Sequence, residues 1–102
     1  MMKRKVIISD VVRDKVLELE LFLKNDLKLS KKVADSRAER IRAFLRSLSS
    51  PVDYALCRFK RWSTLGYRCA MFEKEWVFAY EIVPQGIIVR DMSHVAGLIG
   101  VE

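Results

Sequence analysis

The sequence predicts an α+β domain in which a helical hairpin packs on one face of a mostly antiparallel four-stranded sheet. Three observations predict it. Two apolar series with helical spacing fill the first half of the chain, and after Pro51 the period changes to two. The 102 residues, 51% of them hydrophobic, suffice for one core and are too few for two, so residues 1–102 are read as a single domain. A chain of this length buries about 60–70% of its unfolded surface, which lets packing alone hold the fold.

Each element has its own warrant. Val6, Ile7 and Ile8 form a β-branched run after Lys3, Arg4 and Lys5, a short strand ending at Ser9 and Asp10. Asp10 is a good N-cap for a helix beginning there. Val12, Val16, Leu19, Leu23 and Leu27 recur at spacings of four, three, four and four, one face of a helix reaching about Asn25 to Leu29. Ser30 caps the next helix, whose apolar face is Ala34, Ala38, Ile41, Leu45 and Leu48, and Ser49, Ser50 and Pro51 end it. So short a connection makes the two helices an antiparallel hairpin.

Tyr67 to Phe72 and Trp76 to Val83 are rich in aromatic and β-branched residues, with Glu73, Lys74 and Glu75 as a polar turn between them. Trp76, Phe78 and Tyr80 share a face, read as the side packed on the helices. Val83-Pro84-Gln85-Gly86 reads as a type I turn with a G1 bulge, leading into a last strand from Ile87 to Ser93. The first strand must join an edge or pair in parallel with one of the others. No repeat or linker interrupts this order.

Charge points to an acidic partner: 19 Lys and Arg against 13 Asp and Glu give +6. Residues 1–50 hold 13 basic and 7 acidic side chains, and residues 51–102 hold 6 of each. The net excess therefore belongs to the first half, where solvation of helix faces accounts for much of it. Within the neutral half, Arg58, Lys60, Arg61 and Arg68 are interleaved with Phe59, Trp62 and Tyr67 and with no acid. Cation and aromatic in one short segment suit phosphate and base contacts. Trp62 either stacks on a base or anchors the loop to the core.

Cys57 and Cys69 are two thiols in a chain with no signal peptide, which fits a reducing cytoplasm, and their pairing stays open. One histidine and no CxxC give no basis for a metal site, no cofactor motif is present, and no apolar run approaches the roughly 20 residues of a membrane span.

The order βααβββ, the helix ending Leu48-Ser49-Ser50-Pro51, the basic loop running into Gly66-Tyr67-Arg68, the strand Tyr80-Glu81-Ile82 and a last strand ending at His94 resemble the RelE/ParE toxin superfamily of type II toxin-antitoxin systems. The resemblance spans about Val6 to Leu98. It implies a cationic cleft on the open sheet face and a cognate acidic antitoxin that blocks it. It also implies one of two activities: ribosome-dependent cleavage of messenger RNA, or poisoning of DNA gyrase by binding. A third outcome is a degenerate relative that keeps only antitoxin binding.

RNA cleavage needs a base for the ribose 2′-OH, a cation for the phosphorane and an acid for the leaving oxygen. The resemblance assigns phosphate stabilisation to Arg68, whose guanidinium can fork across two oxygens. Arg61 and Lys60 stand where RelE-like toxins place backbone-binding lysines. His94 is the side chain whose ordinary chemistry suits acid-base work near neutrality, and its alternative is a satisfied, half-buried residue beside Met92 and Val95. Arg58, Trp62, Tyr67 and Arg90 complete the substrate-binding set. No Lys, Arg or Tyr follows His94, so an endoribonuclease would rest on Arg68, Arg61, Lys60 and His94 alone.

Overall fold

The computed structural model describes residues 3–26, 30–50 and 52–98; Leu27, Pro51 and residues 99–102 lie outside these, and so does the side chain of Ala34. The elements run β1 (Lys5–Ile8), α1 (Asp10–Leu21), a π-helical turn (Phe22–Asp26), α2 (Lys31–Ser47), a one-turn α3 (Lys60–Ser63), β2 (Arg68–Phe72), β3 (Trp76–Val83), β4 (Gly86–His94) and a 3-10 turn (Val95–Gly97). The four strands form one mixed sheet in the order β1-β4-β3-β2. β1 is an edge strand parallel to β4, and the other pairs are antiparallel. The class is α+β.

Caps set where the helices begin. Ser9, not Asp10, is the N-cap of α1, because the Ser9 hydroxyl accepts the Val12 N–H at 3.3 Å. Asp10 becomes the first helical residue, where its charge complements the positive end of the helix dipole. Ser30 caps α2 as expected, accepting from Val33 N–H at 3.2 Å.

Periodicity then decides what is buried. Val12 and Val16 of α1 and Ile41 and Leu45 of α2, with Leu48 just beyond it, meet Ala70, Phe78, Tyr80, Ile87, Val89 and Met92 from the sheet. The strand alternation places Trp76 against the same cluster, so the aromatic face of β3 lies under the helices. Each fully buried side chain of this size contributes about 1.5–3 kcal/mol.

The opposite sheet face is covered too. Cys57, Trp62 and Leu98 pack on Val77 and Ala79, joined by Phe59, Tyr67, Cys69 and Val95. The open face implied by the family resemblance is therefore filled at its centre: residues 57–67 and the turn after β4 lie across it. The segment read as a basic loop contains α3 because Trp62 has an apolar surface to fold onto.

Two backbone features adjust the sheet. The register between β3 and β4 shifts at Ala79/Tyr80, where Ala79 pairs with Asp91 and Tyr80 with Val89, leaving Arg90 as the extra residue. The β3–β4 turn is a two-residue connection with Val83 paired to Gly86, and no bulge of the expected G1 kind forms there; Gly86 has φ +149°, and a Cβ on it would lie 2.1 Å from the Lys5 carbonyl oxygen. The glycine lets β1 approach β4. In the β2–β3 turn Glu73 and Lys74 hold φ of 49° and 60°, and Glu75 N–H donates to the Phe72 carbonyl at 3.0 Å.

Candidate functional site

The cation-rich segment is pinned at both ends. Leu56 bridges antiparallel to Arg68, with Cys57 N–H donating to the Tyr67 carbonyl at 2.9 Å and Cys69 N–H to the Ala55 carbonyl at 3.2 Å. A disulfide joins Cys57 to Cys69, so the pairing that the spacing left open is made. The bridge encloses Arg58, Lys60, Arg61 and Arg68.

Trp62 is the central pin. It is 2% exposed, meets Phe59 edge-on at 6.1 Å, and donates its indole N–H to Asp91 Oδ2 at 3.2 Å. Of the two roles open to it, the structure places it as the anchor. Asp91 also receives Lys15 Nζ at 2.7 Å and the Met92 N–H at 2.8 Å, both on Oδ1. Burial pushes the Asp91 carboxyl up, but these donors, Lys15 foremost, outweigh it and hold the carboxyl below its ordinary range. One carboxylate thus ties α1, α3 and β4 together.

Asp91 is engaged by Lys15 and Trp62 and makes no ion pair with the α3 cations. Among the described residues, Arg58, Lys60 and Arg61 form no ion pair with a carboxylate, whereas Arg4, Lys15, Arg42, Arg46 and Arg90 do. Of the helical cations, Arg13, Lys15, Arg40, Arg42 and Arg46 are engaged within the fold. Arg61 lies over the Trp62 ring, 5.8 Å from its centroid. Beside it runs a groove of about 430 Å³ bounded by Ser9 and Val11 of the α1 start, Arg61, Trp62, Leu65, Tyr67, Arg90 and Asp91. The β-bulge delivers Arg90 to this groove, where its Nε donates to Glu81 Oε1 at 2.6 Å. That exposed pair is worth about 0–1 kcal/mol, so Arg90 can exchange it for a phosphate at little cost.

Arg61, Tyr67 and Arg90 come together here, and Arg58 and Lys60, close in sequence to Arg61, are exposed. Arg68 does not join them. It pairs with Tyr80 across β2 and β3, and its Nη1 donates to the Tyr54 carbonyl at 2.7 Å. Nearby, Arg4 Nη2 lies 2.7 Å from Asp53 Oδ1, which also accepts the Tyr80 hydroxyl at 3.0 Å. The Arg4 guanidinium holds the Asp53 carboxyl down, and burial pushes the Tyr80 phenol up. Alternation along the strand sends Tyr67 and Arg68 to opposite sides.

His94 is elsewhere again. It pairs with Trp76, four residues along β3 from the partner of Arg68, or about 13 Å at the usual strand rise. Its ring stands edge-on to Trp76 at 5.1 Å, and Nδ1 accepts the Ala96 N–H at 3.1 Å, capping the 3-10 turn. The base, cation and acid required for cleavage do not surround one point.

Asp91, Lys15, Ser9, Val11 and Leu65 were not singled out by sequence. Nothing local marks them: Lys15 and Asp91 are 76 positions apart. Chemically, the arrangement offers a partly apolar groove with two guanidinium groups, Arg61 without a carboxylate partner and Arg90 paired with Glu81. Among the described residues no group of His, Cys, Asp and Glu is arranged to hold a metal ion, and no helix is long and apolar enough to cross a membrane. Compared with known proteins, the chain matches no family model and no curated protein.

Proposed function

We propose that the chain is a RelE/ParE-type toxin of a type II toxin-antitoxin module, acting in the cytoplasm by holding messenger RNA on the ribosome through the α3 face. One observation carries this reading: the exposed Arg58, Lys60 and Arg61 of one short segment lack carboxylate partners among the described residues, and Arg61 lines a groove with Arg90. Phosphate oxygens supply the missing counter-charge, and Tyr67 and Leu65 offer apolar surface to a base. An acidic antitoxin would compete for the same cations. The resemblance of the sequence to the RelE/ParE superfamily supplies the biological class.

The proposed act is occupancy of the message and not its cleavage, because Arg61, Arg68 and His94 lie at separate places with separate partners. That same dispersal favours a second reading, a ParE-like toxin that binds gyrase without a hydrolytic step. Induced expression without the neighbouring acidic partner tests both. Growth arrest relieved by alanine at Arg58, Lys60 and Arg61 together, with ribosomes stalled on messages, is the expected result. Codon-phased message ends would restore the endoribonuclease, while DNA breaks with intact messages would transfer the reading to gyrase. No arrest, and no acidic partner in the adjoining frame, would remove the toxin reading altogether.

A further inference from the structure

The bond that closes the cationic segment is made by the chain's two cysteines, which form its one disulfide among the described residues. Cys57 and Cys69 stand where the segment enters and leaves the sheet edge, so everything between them forms a closed loop. A cytoplasm keeps such pairs reduced, and disulfides there are transient and sensing. We infer that Cys57 and Cys69 form a redox latch: oxidation orders the α3 cations for their anionic target, and reduction loosens them. This rests on the anion-binding role proposed for Arg58, Lys60 and Arg61, and names how that site is regulated.

The geometry supplies the direction of the switch. Without the bridge, the entry strand keeps one ladder position, Leu56 opposite Arg68, with its two backbone bonds. Trp62 stays anchored by its own packing, so reduction loosens the flanks of α3 and leaves the core in place. Cys57 is 5% exposed and Cys69 is half-buried, which makes Cys69 the accessible sulfur. The Cys69 thiolate attacks a peroxide oxygen, the O–O bond breaks, and water leaves behind a sulfenic acid. The Cys57 sulfur then attacks that sulfur, forming S–S as a second water departs. In sum two thiols and one hydrogen peroxide give one disulfide and two waters. A dithiol reductant reverses it, passing two electrons and two protons back.

Limited trypsin digestion of the full chain reads the latch without any ligand. Cleavage after Arg58, Lys60 and Arg61 should be at least fivefold faster with dithiothreitol than after hydrogen peroxide. Binding of a 12-residue oligouridylate, followed by fluorescence anisotropy, should weaken at least fivefold on reduction. The double variant Cys57→Ser, Cys69→Ser should stay at the reduced values in peroxide, and the wild-type chain in two redox states serves as the test should that variant fold poorly. Equal tryptic rates in the two states overturn the latch, whether or not the RNA binds. Redox-dependent cutting with no RNA binding in either state supports the latch and removes the RNA reading instead.

Discussion

The indole N–H of Trp62 points at Asp91 Oδ2, 3.2 Å away, across 29 positions of sequence. This contact decides what the segment between Cys57 and Cys69 is: a turn seated on the sheet with its cations outward.

Trp62 carries packing, and it is too enclosed to stack on a base. Trp62→Ala should therefore cost about 3–5 kcal/mol in a denaturant titration. Trp62→Phe keeps most of the apolar contact and gives up the indole hydrogen bond, about 1 kcal/mol. Oligouridylate affinity of the Phe variant should match that of the parent; a tenfold loss would mean that the ring reaches a base.

The unpaired cations should act on binding and leave stability alone. Replacing Arg58, Lys60 and Arg61 with Gln should shift unfolding by no more than about 0.5 kcal/mol each, as for other exposed sites. Each lost phosphate contact should flatten the dependence of log affinity on log salt by about 0.7 for single-stranded RNA. A triple variant with an unchanged salt slope would place the anion elsewhere.

Asp91 sets part of the response to acid. Its carboxyl sits below the ordinary value of 3.8, so it binds protons less readily in the folded chain than in the unfolded one. The stability it contributes is present in full above that ordinary value and fades as pH falls through it toward the lowered folded value. Asp91→Asn should be less stable than the parent at pH 7 and should lose less on going from pH 6 to pH 3. Thermal melts across that range measure the difference.

Gly86 has no tolerance for a side chain, because the Lys5 carbonyl oxygen occupies the place of a Cβ at 2.1 Å. Gly86→Ala should push β1 from β4 and cost about 2 kcal/mol or more. Gly66, at φ +74° with nothing within 4 Å of its Cβ position, isolates the backbone effect alone. Gly66→Ala should cost about 1–2 kcal/mol, and equal losses at the two sites would rule out the steric account of Gly86.

How much of the fold was legible in the sequence depends on the range of each interaction. The spacings through Val12 and Val16, and through Ala38, Ile41 and Leu45, report on the helix's own period, and all five are buried. The same holds for Trp76, Phe78 and Tyr80, whose alternation alone puts them on the helical face. The choice of Ser9 over Asp10 as cap was not legible, since both side chains can accept and only the chain's path from β1 separates them. The candidate site was half legible: composition marked Arg58 to Arg68 as cationic. It could not show that Tyr67 and Arg68 part to opposite faces, or that a one-turn helix with no period of its own rests on Asp91. His94 drew notice as an acid-base group, whereas its ring nitrogen is occupied as a backbone cap.

The edge pairing of β1 with β4 has a consequence for how the chain is made. Lys5 pairs with Gly86, so β1 has no neighbour in the sheet until β4 has emerged from the ribosome. Such distant pairing is slow to close and cannot begin early in synthesis. A growing chain that stops short of β4 keeps Val6 and Ile8 unpaired and the helices without half of their floor. The complete sheet is therefore assembled only after all the residues between Lys5 and His94 have been made.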